Sequence, residues 1–328
     1  MRFLGVQFKI RDEDFSGGFP AHIEEFYKKS NAGDMLIFPE DIGLLIPFFG
    51  LRKASTAESI GKIYSENQKY IDDIYNKMKP SNFVAAVFLS LTDRFVNEFY
   101  DFFAGLSRKF GVYTITCNNQ ARFRRGHNTW EPSGREVYNT AFVFNPKGEL
   151  IFEQDKVYLT KMETDLGISG GDLSNVTPFS VEGKKIGIAI SLDAFTPPYI
   201  SRLEGAEIII QPDANPEKWN SILSNGRWQP EEWMDSAYYI AQRMGGVKFV
   251  INPMMVGDLM EIRFEGQSSI TKKADLGDDY LSYLGNLPTA GFHTILEVAG
   301  YSAKEPIDRK EIIGEKLEFQ EGVIELEA

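Results

Sequence analysis

A chain of 328 residues is long enough to bury one large core or two modest ones, and its 43% apolar and 25% charged content is that of an ordinary globular protein. A formal net charge of −12 works against general binding to phosphate backbones, which needs a basic surface, so no nucleic-acid partner is expected. The longest apolar stretch, residues 42–51, is about half the length of a membrane-spanning helix and contains Pro47, so no membrane partner is expected either.

The start of the sequence lacks the apolar run and small-residue cleavage site of a secretory leader. A lone cysteine, Cys117, excludes an internal disulfide and fits a reducing, cytoplasmic setting. His22, His127 and His293 are scattered and make no ligand cluster with it, so neither a metal nor a cofactor is expected.

Along the chain, short apolar runs alternate with amphipathic stretches, the pattern of an α/β protein. Residues 2–8 read as a strand, 24–29 as part of a short helix stopped near Gly33, and 35–38 as a buried strand running into Pro39-Glu40. Ser55 and Glu58 have capping-box spacing ahead of a long amphipathic helix that ends before Pro80. Residues 83–89 read as a strand, Asp93 as the cap of a Phe-rich helix stopped by Gly111, and 112–117 as the next strand. Residues 139–144 and 150–153 flank Asn145-Pro-Lys-Gly148, which suits a tight turn between antiparallel strands. Further strands are expected at 185–190, 206–211, 247–252 and 295–298, with a helix over 231–244. No repeat or linker divides the chain. One domain over residues 1–303 is expected, followed by a charged tail, 304–328, that reads as a surface helix, a dimer arm or a disordered segment.

Reactive groups in open α/β sheets gather at the carboxyl ends of strands. Glu40, Lys156 and Ser191 stand at or near such ends, and together they offer a base, an oxyanion stabiliser and a nucleophile. Singly, each has a plainer reading: a solvated loop glutamate, a surface lysine and a serine capping a turn.

Their surroundings supply what spacing does not. Met35-Leu-Ile-Phe-Pro-Glu40, the segment from Tyr138 through Lys156 to Leu159, Lys185-Ile-Gly-Ile-Ala-Ile-Ser-Leu-Asp193, Gly205-Ala-Glu-Ile-Ile-Ile-Gln-Pro212 and Phe264-Glu-Gly-Gln-Ser268 resemble, in order, segments of the nitrilase superfamily of carbon–nitrogen hydrolases. That resemblance implies a four-layer αββα sandwich that pairs into a homodimer or higher oligomer. It implies Glu40 as general base, Lys156 as stabiliser of the tetrahedral intermediate, position 191 as nucleophile, the Leu192 N–H in the oxyanion hole, and Glu163 as the glutamate that holds the lysine. Asp193 matches an acidic residue whose role in the turn is structural. The implied substrate is a small amide, nitrile or carbamoyl compound cleaved at a non-peptide C–N bond without a cofactor.

The sequence also departs from the family. Ser191 replaces the reactive cysteine, Tyr158 replaces a histidine, Arg243-Met-Gly-Gly-Val247 lacks a Glu and an Asn, and a later Pro-x-Gly turn is missing. Either an exchanged cysteine or a natural loss accounts for the serine, and in both cases hydrolysis should be low or absent. A ligand- or partner-binding relative without turnover and an acyltransferase are the alternatives. Cys117 lies in an unrelated strand and reads as a small, inert core thiol. Arg122 and Arg124 follow a strand whose loop lies near the pocket in this family. A guanidinium there would clamp a carboxylate and favour an anionic substrate; a solvated basic loop is the plainer reading. Among Trp219, Trp228 and Trp233, burial is the default role, with one as a pocket residue.

Overall fold

The computed structural model describes residues 1–272, 280–284, 298–302 and 319–328. Its first sheet is built from β1 (Arg2–Lys9), β2 (Met35–Ile37), β3 (Tyr113–Arg125), β4 (Trp130–Phe144) and β5 (Leu150–Asp155). It continues beyond β1 through β10 (Met255–Leu259) and β11 (Ile262–Phe264), and β15 (Gly322–Glu327) also pairs with β1. The second sheet runs in the order β14 (Val298–Ser302), β13 (Tyr280–Leu284), β12 (Ser269–Lys272), β9 (Phe249–Asn252), β8 (Ile208–Ile210), β7 (Lys184–Ile188) and β6 (Phe179–Val181).

Strand alternation sorts the apolar side chains into three cores, and the cores define the layers. Phe3, Met35, Ile37, Ile115 and Val143 of the first sheet meet Ile186, Ile188, Ile208, Ile210 and Ile251 of the second in a dry interface between them. The opposite face of the first sheet, through Leu4, Val6, Phe8 and Phe142, packs against helices α1 (Phe19–Tyr27), α2 (Thr56–Met78), α3 (Phe83–Ser90) and α5 (Asp101–Phe110). The outer face of the second sheet, through Ala189, Ile209 and Val250, is covered by α7 (Pro197–Arg202) and α8 (Gln229–Arg243). This is the expected αββα sandwich in a single domain. Cys117 lies in the core between the sheets, where burial pushes its thiol pKa well up.

Most expected elements are present. The Ser55–Glu58 capping box forms, with Ser55 Oγ accepting the Glu58 N–H, and Gly111 ends α5 in the left-handed conformation at φ 67°. Two expectations need correction. Residues 83–89 are helical: an all-apolar run has no period to read, and the Asn82 side chain caps it by accepting the Ala85 N–H at 2.9 Å. Asp93 does not cap the Phe-rich helix; α4 (Thr92–Phe95) starts before it and joins α5 through a π-helical turn, Val96–Tyr100. The apolar segment Ile42–Phe48 is a buried 3₁₀ turn inside the helix-side core.

The charged tail is corrected in part. Residues 304–318 lie outside the described residues, but Gly322–Glu327 is neither an arm nor a free end: it pairs antiparallel with β1, Arg2 opposite Glu327 and Gln7 opposite Gly322. The preceding turn is pinned by His22, whose two ring nitrogens meet Asp14 at 2.7 Å and Glu321 at 2.5 Å, with Arg11 also on Glu321. Of the strand expected at 295–298, residues 295–297 lie outside the described residues, as does His293, while Val298 opens β14.

Candidate active site

Four chain segments deliver the site. The β2 strand runs through Phe38-Pro39 to Glu40, which is 2% exposed. After β5 the chain turns at Lys156, whose backbone N–H is held by the Asn139 carbonyl of β4 at 2.8 Å. Helix α6 (Lys161–Asp165) begins with a Thr160–Glu163 capping box that fixes the Glu163 carboxylate. Beyond β7 the chain enters a 3₁₀ turn, Ser191–Phe195, with Ser191 in the left-handed region at φ 48°. A non-glycine residue there is strained, and the Ser191 N–H to the Pro212 carbonyl, 3.0 Å, holds it.

These segments bring Lys156 between two carboxylates. Its Nζ lies 2.7 Å from Glu40 Oε1 and 2.9 Å from Glu163, and both side chains of the Glu40–Lys156 pair are almost fully buried. Asn139 Nδ2 bridges the same carboxylates at 2.7 Å and 3.2 Å, and the Ala214 N–H donates to Glu40 Oε2 at 3.2 Å. Every Glu40 oxygen is thus oriented by a donor. Burial disfavours the Lys156 charge, but Glu40 and Glu163 more than offset it and raise its pKa, so it stays an ammonium. Burial raises the Glu40 pKa, which the Lys156 charge only partly reverses, and so brings it nearer to the range of a working base.

Glu40, Lys156, Glu163, Ser191 and Leu192 all line one cavity of about 530 Å³. Asp193, just behind the serine, accepts the backbone N–H groups of Val157 at 3.2 Å and Tyr158 at 2.8 Å. It therefore ties the lysine segment to the serine turn, while burial pushes its pKa up to about 8.

Three further residues carry no signal read from the sequence. Asn139 sits inside a strand, where nothing distinguishes it from a ladder residue. Asp41, beside Glu40, adopts the left-handed conformation at φ 61° and lines the cavity. Asp213 follows β8 at a strand end, the criterion that picks out Glu40 and Ser191, so it was open to the same argument. It is fully buried, accepts Gln211 Nε2 at 3.2 Å and Asn252 Nδ2, and has its pKa driven well up by burial and Glu40; Asn252 and the neighbouring Ser191 hydroxyl draw it back only in part.

Arg122 and Arg124 do not reach the cavity. The β3 strand extends to Arg125 and carries both along the β3–β4 hairpin, where Arg122 pairs with Glu153 at 2.8 Å and Asp155 at 2.7 Å, and Arg124 faces Glu131 at 3.7 Å. Acidic residues on the neighbouring strands thus account for these arginines. Of the tryptophans, Trp219 and Trp228 are buried, and Trp233 is the one that lines the cavity.

A family model described as carbon–nitrogen hydrolase matches residues 6–273. No curated protein matches the sequence. Solved structures share the fold at low identity. A mutant of the amidase from Nesterenkonia sp. AN1, showing Michael addition of acrylamide at its active-site cysteine, is 16% identical over 87% of this chain and 89% of its own, with a TM-score of 0.56. A double mutant of that amidase in complex with acrylamide is 15% identical over 87% and 86%, with a TM-score of 0.55. A carbon–nitrogen hydrolase from Helicobacter pylori G27 is 19% identical over 87% and 85%, with a TM-score of 0.56.

Proposed function

Since the chain belongs to the carbon–nitrogen hydrolase family, we propose that it is built to cleave a non-peptide C–N bond in a small amide, with Ser191 as nucleophile, Glu40 as base and Lys156 as oxyanion stabiliser. The observation that carries this reading is the buried Lys156 ammonium held between Glu40 and Glu163 in the wall of the cavity that Ser191 also lines. The small amide is supported by the Nesterenkonia amidase structures, in which acrylamide is the bound or added compound.

In the proposed reaction Ser191 Oγ attacks the amide carbon as its proton passes to Glu40, and the carbonyl π electrons move onto oxygen. Lys156 Nζ and the Leu192 N–H stabilise that oxyanion. Collapse returns the electrons, breaks the C–N bond and sends the Glu40 proton to the leaving nitrogen. Water, deprotonated by Glu40, then adds its oxygen to the Ser191 ester carbon; the second oxyanion collapses, the bond from carbon to Ser191 Oγ breaks, and the Glu40 proton passes to Oγ as the acid leaves. Glu163 and Asn139 keep Lys156 and Glu40 in position.

The serine limits the rate. A thiol ionises near pKa 8.5, an alcohol far higher, and each unit of difference is worth about 1.4 kcal/mol. The serine itself favours one second reading: a ligand-binding relative with no turnover. Mass spectrometry of the intact protein after incubation with simple amides, beside the Ser191→Cys variant, separates the two. The hydrolase reading expects an acyl adduct or turnover in the cysteine form. A panel to which the chain binds but on which neither form acts leaves the binding reading instead.

A further inference from the structure

The cavity around Ser191 is rich in acidic groups. Among the described residues Glu40, Asp41, Glu163, Glu217 and Glu232 line it, with Lys156 and Lys161 as the cationic ones. Lys156 is taken by Glu40 and Glu163, and Lys161 is solvent-exposed and paired with Asp165 at 2.6 Å. Glu232 is matched by Arg227 at 2.8 Å. Among the described residues Asp41 makes no ion pair. Its Oδ1 is buried without a hydrogen-bond partner, and burial together with Glu40 and Glu163 pushes its pKa well up, which the Lys156 charge and Asn119 reverse only in part, so that a cation entering the cavity would favour its ionised form.

A second, independent feature points the same way. Asn215 donates through Nδ2 to the Glu217 and Glu265 carbonyls, each at 2.9 Å, and accepts the Glu217 N–H at Oδ1. Its orientation is therefore fixed, and so is that of Gln229, whose Nε2 donates to Asn215 Oδ1 at 2.8 Å. Gln229 is only 3% exposed and lines the cavity, and its Oε1 is an acceptor with no partner. A buried acceptor left open loses the hydrogen bond it had with water, and a ligand N–H set against it would restore one. Beside it stand two aromatic rings, Phe195 and Trp233, packed edge to face at 4.7 Å, whose π systems suit a cation.

We infer that the ligand of this cavity is a small amide that also carries a positively charged nitrogen, an ammonium or guanidinium, whose charge and N–H donors answer Asp41, Gln229 Oε1 and the rings of Phe195 and Trp233. The word amide rests on the hydrolase reading; the charge does not. With Arg122 and Arg124 paired with acids on neighbouring strands, no arginine among the described residues lines the cavity to meet an anionic substrate.

Three probes of matched length test this: butyramide, 4-aminobutyramide and succinamate. Calorimetric titration of the protein with Ser191 in place measures binding, and turnover is measured in Ser191→Cys. The cationic probe is expected to bind at least about tenfold more tightly than butyramide, the scale of one charge-assisted hydrogen bond, with succinamate weakest. Asp41→Asn and Gln229→Leu are each expected to narrow the gap between the cationic and neutral probes, so either variant alone suffices if the other does not fold. Equal or tighter binding of butyramide or succinamate overturns the inference, as does failure of all three to bind. Turnover of butyramide by the cysteine form without charge preference leaves the hydrolase reading standing while this inference falls. Preferential binding of the cation without turnover in either form does the reverse.

Discussion

Among the described residues two buried cations are each held between two carboxylates, and they stand in very different surroundings. Lys156 lies between Glu40 and Glu163, with side chains 2%, 3% and 8% exposed. His22 lies between Asp14 and Glu321, with side chains 3%, 1% and 16% exposed. The charge pattern is the same, but the His22 group stacks under Phe8 at 4.6 Å and joins the turn before β15 to the segment around α1, while the Lys156 group opens onto a cavity. A buried ion triad is therefore not a signature of catalysis in itself. Access to a cavity and the nature of the cation separate the two: a lysine far from its titration range is a fixed charge, whereas a histidine can be switched.

The largest effect expected from breaking this comparison comes from Lys156→Met. Removing the cation leaves Glu40 and Glu163 facing each other in the interior, and about 3–5 kcal/mol of stability should be lost, read as a lower denaturant midpoint. In a Ser191→Cys background the same change should abolish turnover. If Ser191→Cys,Lys156→Met turns over as well as Ser191→Cys, the assignment of Lys156 fails.

The next effect sharpens the contrast. His22→Leu removes the other cation and should lower stability by about 2–3 kcal/mol, yet leave the affinity of the cavity for 4-aminobutyramide unchanged. A change in that affinity would mean that the two groups are not independent.

A smaller effect is reached by pH alone. Burial opposes the His22 charge, but Asp14 and Glu321 more than offset it and raise its pKa from 6.5 to about 9. A pKa raised on folding stabilises fully below the unfolded value, so this contribution is complete below pH 6.5 and is lost as pH rises through about 9. Allowing for solvent screening near Glu321, the loss should be about 2 kcal/mol, measured as a falling melting temperature across that window and absent in His22→Leu. Smallest of all, Arg122→Gln should leave ligand affinity unchanged and cost at most about 1 kcal/mol of stability, because its guanidinium is part exposed in its pairs with Glu153 and Asp155.

How far the sequence discloses these features depends on where their partners lie. Glu40, Lys156 and Ser191 are legible because strand ends and neighbouring segments mark them. The three segments do converge, with Glu163 and Leu192, on one cavity. Helix α3 is not legible, because an unbroken apolar run fits a strand and a buried helix equally, and the cap that decides between them is one asparagine side chain. The arginines show the opposite case. Their charge is conspicuous, but the acids that neutralise them come from β4 and β5, and only strand register brings those alongside. Asp14, His22 and Glu321 could not be connected at all, since Glu321 is 299 positions away from the histidine that it meets.

The pairing of β15 with β1 has a consequence for how the sandwich assembles. Arg2 and Glu325, which meet at 3.2 Å across that pair, are 323 positions apart, so the ladder closes a loop of nearly the whole chain. Loop closure on that scale makes this contact one of high order, slow to form compared with the neighbouring turns and hairpins. Until it forms, one side of β1 carries unpaired N–H and C=O groups along residues 2–7, and Gly5, where an added Cβ would lie 2.8 Å from Ile324, lacks that neighbour. A half-assembled first sheet therefore exposes a raw strand edge, the kind of template through which one chain captures another, and the closing strand doubles as the sheet's protection against aggregation during folding.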